Sequence, residues 1–191
     1  MAGEVLAGQR SLESFEPYLR ASPIARRSAA LVARDFLYDN QGADLALSWL
    51  ETLASDDDPD VRREAYRADW QKILENEGKP LDFVKRFIAS ESFLHRSERL
   101  TIRLDDLADR HPHLALNAAN RLVSLAEGDE EFLRQQMGHG ALTNVGKIIM
   151  GAYEGFSDGA PERQEALNLF DRFLAAGIYD VDRIIDRYER H

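Results

Sequence analysis

The sequence has 191 residues, no cysteine, and a formal net charge of -10 at pH 7. The absence of cysteine excludes disulfide bonds and thiolate metal sites. Its apolar and charged fractions, 44% and 30%, are those of a folded globular protein and argue against disorder. No apolar run reaches the roughly 20 residues that span a bilayer, and Met1–Gln9 lacks the pattern of a signal peptide. We therefore expect a cytoplasmic protein that does not associate with membranes.

Most of the positive charge is carried by arginine, with 20 Arg and 4 Lys against 34 acidic residues. The negative balance disfavours non-specific binding to nucleic acid, because such binding depends on neutralising phosphates with Lys and Arg. Arginine favours fixed, forked contacts with carboxylates. We therefore expect the acidic segment 41–60 and the arginine-rich segment 61–100 to satisfy each other in large part.

Apolar residues recur at spacings of three and four along most of the sequence, which predicts an all-α fold of about nine to ten helices. Capping residues followed by proline, as at Ser22-Pro23, mark helix starts, and glycines such as Gly42 mark helix ends. In chain order, the predicted helices run from Pro23 to Asn40, across Ala46–Leu53, from Pro59 to Gly78, from Pro80 to Ile88, from Ser90 to Arg110, from His111 to Gly128, over a short segment from Asp129 that breaks at Gly138–Gly140, and then over Leu142–Phe156, Ala160–Gly177 and Asp180–Tyr188.

Two features of these helices predict core positions. Trp49 and Trp70 each lie on an apolar helical face, where packing in the core is more common than stacking on bases. The first helix is expected to bury one face, which contains Ile24, Ser28, Leu31, Val32 and Phe36.

The prolines at helix starts indicate a degenerate repeat, since Pro23 and Pro59 are separated by about 36 residues, a period typical of two-helix repeats. Asp57–Ala65 reads Asp-Asp-Pro-Asp-Val-Arg-Arg-Glu-Ala. It closely resembles the HEAT-repeat signature, in which Asp-Pro precedes Val-Arg and a helix-facing Ala. The resemblance implies a HEAT-like α-solenoid of stacked antiparallel helix pairs. In that architecture Asp58 would cap a helix and Arg62 would join a ladder by reaching a carboxylate of the next repeat.

The C-terminal segments Leu169–Leu174, Ala176–Tyr179 and Asp186–Tyr188 resemble the terminal helices of large bacterial helical-repeat proteins, some of which carry NTPase domains. The phosphate-binding motif Gly-x-x-x-x-Gly-Lys-Ser/Thr does not occur in this sequence. The resemblance therefore implies a stand-alone relative or the regulatory end of a larger system.

No pattern of catalytic or metal-binding residues emerges from the sequence. No helix carries a His-x-x-x-His or Glu-x-x-His pair, and no serine has the Gly-x-Ser-x-Gly setting. The run Asp56–Asp60 lacks the glycine and the distal glutamate of a calcium loop, and helix capping explains it. We predict no metal, no cofactor and no catalytic residue; the histidines considered are His95, His111, His113, His139 and His191.

An arginine stripe is predicted on the helix 90–110, where four arginines fall within about 60° of one another. Like charges four residues apart destabilise a helix by a few tenths of a kcal/mol, so an acidic group is expected to face them. The alternatives are a neighbouring helix of this chain or bulk solvent on the one hand, and an acidic partner protein or a phosphate backbone on the other. A shorter pair, Arg63 and Arg67, has the same alternatives; the stripe itself consists of Arg96, Arg99, Arg103 and Arg110.

These observations favour a protein–protein interaction or regulatory scaffold module without catalytic activity, whose partner is a protein with an acidic surface. One alternative is a HEAT-like DNA-binding enzyme similar to the alkylpurine DNA glycosylases, although the negative charge argues against a DNA groove. The other is an accessory or immunity-type subunit of a bacterial NTPase or nuclease system. We expect residues 1–20 to be an N-terminal arm or an extra helix, and residues 21–191 to be a single all-helical domain. The oligomeric state stays open.

Overall fold

The computed structural model describes residues 11–38, 42–75, 81–128 and 144–176. Every regular element within these ranges is a helix, and the number of helices confirms the all-α prediction. The chain divides into two compact units, Met1–Phe87 and Ile88–His191. In chain order the elements are a 3₁₀ helix (Leu12–Arg20), α1 (Pro23–Tyr38), α2 (Ala43–Leu53), α3 (Pro59–Ala65), α4 (Trp70–Glu75), α5 (Leu81–Ala89), α6 (Ser92–Leu107), α7 (Pro112–Gly128), α8 (Val145–Gly155) and α9 (Pro161–Ala175).

Helix α1 is the centre of the first unit, where it packs against the 3₁₀ helix, α2 and α3. Its buried face contains Ala29, Ala30 and Ala33, whose small side chains allow neighbouring helices to approach closely. The 3₁₀ helix buries Leu12 and Phe15. On the opposite face of α1, Ile24, Arg27 and Tyr38 are exposed, and Leu31 and Arg34 are partly exposed.

The prediction that Ile24 belongs to the buried face of α1 was wrong, because its side chain is 80% exposed. Val32 and Phe36 of the same predicted face are buried. With a rotation of about 100° per residue, Ile24 lies well outside the arc that is centred on the three buried alanines. The alanines therefore set the orientation of α1. Periodicity of the larger apolar residues misplaced Ile24, and also Leu31, which lies on the same side of the helix and is only partly buried.

The predicted continuous helix from Pro59 to Gly78 is broken between Ala65 and Trp70, so that part of the prediction was wrong. Asp69 provides the reason. Its Oδ1 accepts hydrogen bonds from the backbone N–H groups of Gln71 and Lys72, at 3.0 and 3.4 Å, and so begins a new helix. Gly78 and Pro80 lie outside the described residues.

The break brings two aromatic residues onto the same side of α5. The ring of Trp70 stacks on that of Phe87 with 4.4 Å between centroids, and Tyr66 lies 5.2 Å from Phe87 and 5.4 Å from Phe83. Burial raises the pKa of the Tyr66 hydroxyl above its usual value. Trp70 is buried, as is Trp49 on α2, which confirms that both are core residues.

In the second unit, α8 packs against α6 and α7, and α9 packs against α7 and α8. Two glycines of α8 allow this approach. A Cβ atom added at Gly155 would lie 2.5 Å from the carbonyl oxygen of Asp109, and one at Gly151 would lie 2.8 Å from Cβ of Ala108. The glycines are therefore required by the proximity of α8 to the turn that follows α6.

Arginines on α9 tie it to both neighbours. Arg163 Nε donates to the carbonyl oxygens of Tyr153 and Phe156 at the end of α8, at 3.2 and 3.1 Å, and its guanidinium lies over the Tyr153 ring. Arg172 forms a forked pair with Glu127 of α7, at 3.0 and 2.7 Å. The guanidinium lowers the pKa of Glu127, and the carboxylate raises the pKa of Arg172.

None of the described helices is both long and apolar enough to cross a membrane. The predicted segment that begins at Asp129 and the predicted last helix, Asp180–Tyr188, lie outside the described residues. The HEAT-like stacking and the single-domain organisation stay predictions.

Candidate functional site

The most unusual charged group in the described residues is the carboxylate of Glu64, on α3. Its side chain is 3% exposed. Moving a carboxylate out of water is costly unless cations or hydrogen-bond donors compensate for the lost hydration. The surroundings of Glu64 provide this compensation, with more cationic groups than one carboxylate requires.

Three arginines converge on Glu64. Arg34 Nη1 donates to Oε1 at 3.2 Å, and Arg67 Nη1 donates to Oε2 at 3.0 Å. Arg27 completes the set with its Nε 3.6 Å from Oε2. Arg27 and Arg34 come from α1, and Arg67 lies in the turn after α3. We call Arg27, Arg34, Arg67 and Glu64 the Glu64 cluster.

The Glu64 cluster carries more positive than negative charge. The other carboxylate among its described ion pairs is that of Asp35, which is 3.7 Å from Arg34 Nη2. Three guanidinium groups therefore face two carboxylates. The arginine side chains remain partly exposed, at 51% for Arg27, 32% for Arg34 and 37% for Arg67. A guanidinium carries five N–H donors, so these groups can bind a further carboxylate or phosphate by charge-assisted hydrogen bonds.

A neighbouring arginine, Arg26, has a structural role instead. Arg26 grips Asp56 with two hydrogen bonds, Nε to Oδ2 at 2.6 Å and Nη2 to Oδ1 at 3.0 Å. The hydrogen bond from Arg26 lowers the pKa of Asp56, and Asp56 in turn raises the pKa of Arg26. The remaining Nη1 of Arg26 donates to the Ala21 carbonyl oxygen. Arg26 therefore has its donor groups engaged by the protein itself.

The two residues of the HEAT-like segment behave differently from each other. Asp58 Oδ1 accepts hydrogen bonds from the N–H groups of Asp60 and Val61, at 2.9 and 3.2 Å, which is the geometry of an N-cap. Arg62 Nη1 donates to the carbonyl oxygens of Asp56 and Asp57, at 2.6 and 2.8 Å. Where the resemblance implies a carboxylate of the next repeat, the structure has the main chain of the preceding loop.

Arg63 and Arg67, which the sequence suggested as a pair, have separate partners. Arg63 Nη1 is 2.7 Å from Oδ1 of Asp60, and both side chains are exposed. Arg67 belongs to the Glu64 cluster. The acidic groups that were expected to face these arginines, Asp60 and Glu64, are thus both supplied by α3.

The predicted arginine stripe lies in the second unit. Arg99 and Arg103 are exposed on α6, and Arg110 is exposed in the turn that follows it. Among the side chains that the structure describes, none forms an ion pair with these three. The side chain of Arg96 lies outside the described set. The stripe also contains the exposed Asp106, three residues after Arg103, so its positive charge is partly offset.

Sequence reasoning singled out Arg67 but missed Glu64, Arg27 and Arg34. A signal was present in the heptad spacing of Arg27 and Arg34, which places both on one side of α1. A second signal was the position of Glu64 three residues after Val61 and next to Ala65, both of which are buried. A glutamate on the apolar side of a short helix predicts a buried partner.

Within the described ranges, no group of three or more His, Asp and Glu residues is placed to hold a metal ion. The ring of His113 meets that of Phe156 edge-on at 5.0 Å. His139, His191 and the side chain of His95 lie outside the described set.

The fold and the site together define an all-α protein with a partly exposed arginine cluster built on a buried carboxylate. Comparison of the chain with known protein families, with curated proteins and with solved structures finds no match.

Proposed function

We propose that this protein is a protein–protein interaction module that binds an acidic partner through the Glu64 cluster. The observation that carries the proposal is the excess of guanidinium groups around one buried carboxylate. A bound carboxylate from the partner would complete the charge balance that Glu64 and Asp35 leave unfinished. Recognition of this kind requires no catalytic group.

The arginines are also held in advance of binding. A flexible arginine loses rotamer freedom when a partner immobilises it, at a cost of about 0.5–1.5 kcal/mol for each side chain. Arg34 and Arg67 already donate hydrogen bonds to Glu64, and Arg27 lies within ion-pair distance of it. The cluster can therefore bind an anionic group with a smaller entropic cost than solvated arginines would.

The direction of the helices supports the HEAT-like part of the proposal. Arg26 of α1 pairs with Asp56, and Arg34 pairs with Glu64, so the chain from Asp56 to Glu64 runs in the same direction as α1. In a stack of antiparallel helix pairs, every second helix along the chain runs in the same direction. Together with the Asp-Pro-Asp-Val-Arg segment at 58–62, this direction favours a helical-repeat scaffold. We also propose that the protein acts in the cytoplasm.

An acidic protein fits the site better than nucleic acid does. Binding to nucleic acid depends on neutralising many phosphates with Lys and Arg, whereas three arginines suffice for a few carboxylates. An accessory subunit of a larger bacterial system would use the same type of surface. The proposal therefore names the chemistry of the partner and leaves the system open.

The test compares two double variants that remove the same charge. Arg27→Ala/Arg67→Ala leaves Arg34 to pair with the buried Glu64, and Arg99→Ala/Arg103→Ala removes two exposed arginines from α6. Partners are captured from the native lysate and identified. Their affinities for the wild type and for both variants are then measured with purified proteins. We expect an acidic partner that is lost only with the first variant. Loss only with the second variant, or retention by both, would refute a site at the Glu64 cluster.

A further inference from the structure

Two of the most exposed apolar side chains in the described residues lie on the same helix. Ile24 and Tyr38, at opposite ends of α1, are 80% and 68% exposed. Single exposed apolar residues are ordinary on protein surfaces. Ile24 and Tyr38, however, belong to a regular pattern of residues along one face of α1.

The outer face of α1 follows a strict three–four alternation, and its members are Ile24, Arg27, Leu31, Arg34 and Tyr38. Alternating steps of three and four form the seam along which helices pack in coiled coils. At about 100° per residue these five positions fall within an arc of roughly 80°, opposite the buried alanines. We call these five residues the α1 stripe.

The α1 stripe is continuous with the Glu64 cluster, since Arg27 and Arg34 belong to both. The two arginines are seven residues apart, which places them about 10 Å apart along the helix axis. Apolar side chains alternate with them along the face. A surface of this type matches a helix whose apolar residues alternate with carboxylates at the same spacing.

A second copy of this chain does not match the α1 stripe. Parallel pairing of two α1 stripes would place arginine against arginine, which is repulsive. Antiparallel pairing would place Arg27 and Arg34 against apolar side chains without a carboxylate. Charge complementarity therefore selects an acidic occupant.

An anionic membrane surface fits less well than a helix. Interfacial helices insert a wide apolar face and keep basic residues on the polar side. In α1 the arginines lie within the stripe, and contacts with the buried Glu64 hold both of them.

We propose that the α1 stripe binds an acidic amphipathic helix of a partner protein, aligned along α1. The apolar side chains of the partner helix would contact Ile24, Leu31 and Tyr38. Two carboxylates of that helix, one heptad apart, would pair with Arg27 and Arg34. This inference rests on the proposed function, for which it specifies the form of the acidic partner. All five residues that would make these contacts belong to the first unit.

The test uses a synthetic peptide of about three heptads with Leu and Glu alternating at the seam positions. A second peptide has the same composition in an order that removes the three–four spacing. Binding to the full chain is measured by fluorescence anisotropy. We expect the patterned peptide to bind at least about tenfold more tightly than the scrambled one, since only the former aligns both contact types.

Two variants examine the apolar half of the stripe. Ile24→Ser/Tyr38→Ser changes only exposed side chains, and Ile102→Ser/Leu167→Ser makes the matched change at exposed apolar positions of the second unit. We expect the first variant to weaken binding of the patterned peptide by about tenfold and the second to leave it unchanged. Equal affinities of the first variant and the wild type would overturn the proposal.

Other outcomes separate this inference from the function on which it rests. If both peptides bind equally and Arg27→Ala/Arg67→Ala abolishes both, an acidic partner is supported and helix docking is refuted. If neither peptide binds, helix docking is refuted, and the partner capture described above decides the proposed function. Binding instead to vesicles of phosphatidylserine and phosphatidylcholine in a roughly 3:7 ratio, with loss in Ile24→Ser/Tyr38→Ser, would replace the helix by a membrane surface.

Discussion

Arg34 Nη1 donates a hydrogen bond of 3.2 Å to Oε1 of Glu64, and this contact joins two residues that lie 30 positions apart. It secures α1 to α3 and satisfies part of the charge of a carboxylate that is almost fully buried. The same guanidinium is about one-third exposed, so it also reaches the surface on which we propose that a partner binds. One side chain thus links the stability of the first unit to its recognition of an anion.

Glu64→Gln is expected to destabilise the first unit by about 1–3 kcal/mol, because it removes the charge that three arginines share. The penalty stays below that of a fully buried pair, since the arginines left behind can be hydrated. Urea denaturation monitored by circular dichroism measures the change. Asp60→Asn is the matched control, because Asp60 forms the exposed Arg63 pair on the same helix. It should cost less than about 1 kcal/mol. Equal losses in the two variants would show that the burial of Glu64 has no energetic consequence.

The stability of the first unit should depend on pH through Asp56. Arg26 lowers the pKa of Asp56 in the folded state. Asp56 therefore stabilises the fold above the ordinary aspartate pKa of about 3.9, and this contribution disappears as the pH falls through the depressed value. In Arg26→Ala the melting temperature should be lower than that of the wild type at pH 7, and the two should converge in acid.

Melting curves recorded between neutral pH and strong acid test this expectation. Arg63→Ala is the control, because its partner Asp60 is exposed and the pair should contribute little at any pH. A difference between Arg26→Ala and the wild type that stays constant across the whole range would contradict a role for Asp56 ionisation.

Trp70→Ala should destabilise the protein by about 3–5 kcal/mol, the range for removing a large aromatic side chain from a core. Trp70 is buried and stacks on Phe87 at 4.4 Å. Trp70→Phe retains most of the ring contacts and is expected to lose less. Thermal or urea unfolding distinguishes the two, and a melting curve of Trp70→Ala that matched the wild type would place this residue outside the core.

Gly155→Ala should destabilise the second unit by about 1–3 kcal/mol through overpacking. The added Cβ would lie 2.5 Å from the Asp109 carbonyl oxygen, and main-chain atoms cannot yield as a flexible side chain can. Gly128→Ala, at the end of α7, has no atom within 4 Å of its added Cβ and should be neutral or slightly stabilising. The two variants are compared by urea denaturation, and equal stabilities would show that α8 can move away from the turn after α6.

Local sequence patterns were sufficient for the helical class and for several element boundaries. Proline after Asp58 marked the start of α3, and apolar periodicity placed Trp49 and Trp70 in the core. These features depend on interactions within a few residues, namely capping hydrogen bonds and the rotation of about 100° between successive helical residues. Such interactions can be read from one segment at a time.

Long-range packing determined the features that the same patterns misjudged. Which face of α1 is buried depends on the helices that pack against its alanines, and so Ile24 became exposed. The break at Asp69 depends on a helix cap that competes with continuation of the helix. It allows the rings of Tyr66 and Trp70 both to contact Phe87 of α5.

The Glu64 cluster required the tertiary structure most of all. Its arginines come from positions 27, 34 and 67, and the distances that unite them are set by the packing of α3 on α1. Charge along a sequence says which groups are available for pairing. Their partners, and the guanidinium groups that stay accessible to a ligand, follow from burial, because only the folded chain removes water from one carboxylate and leaves it around the arginines.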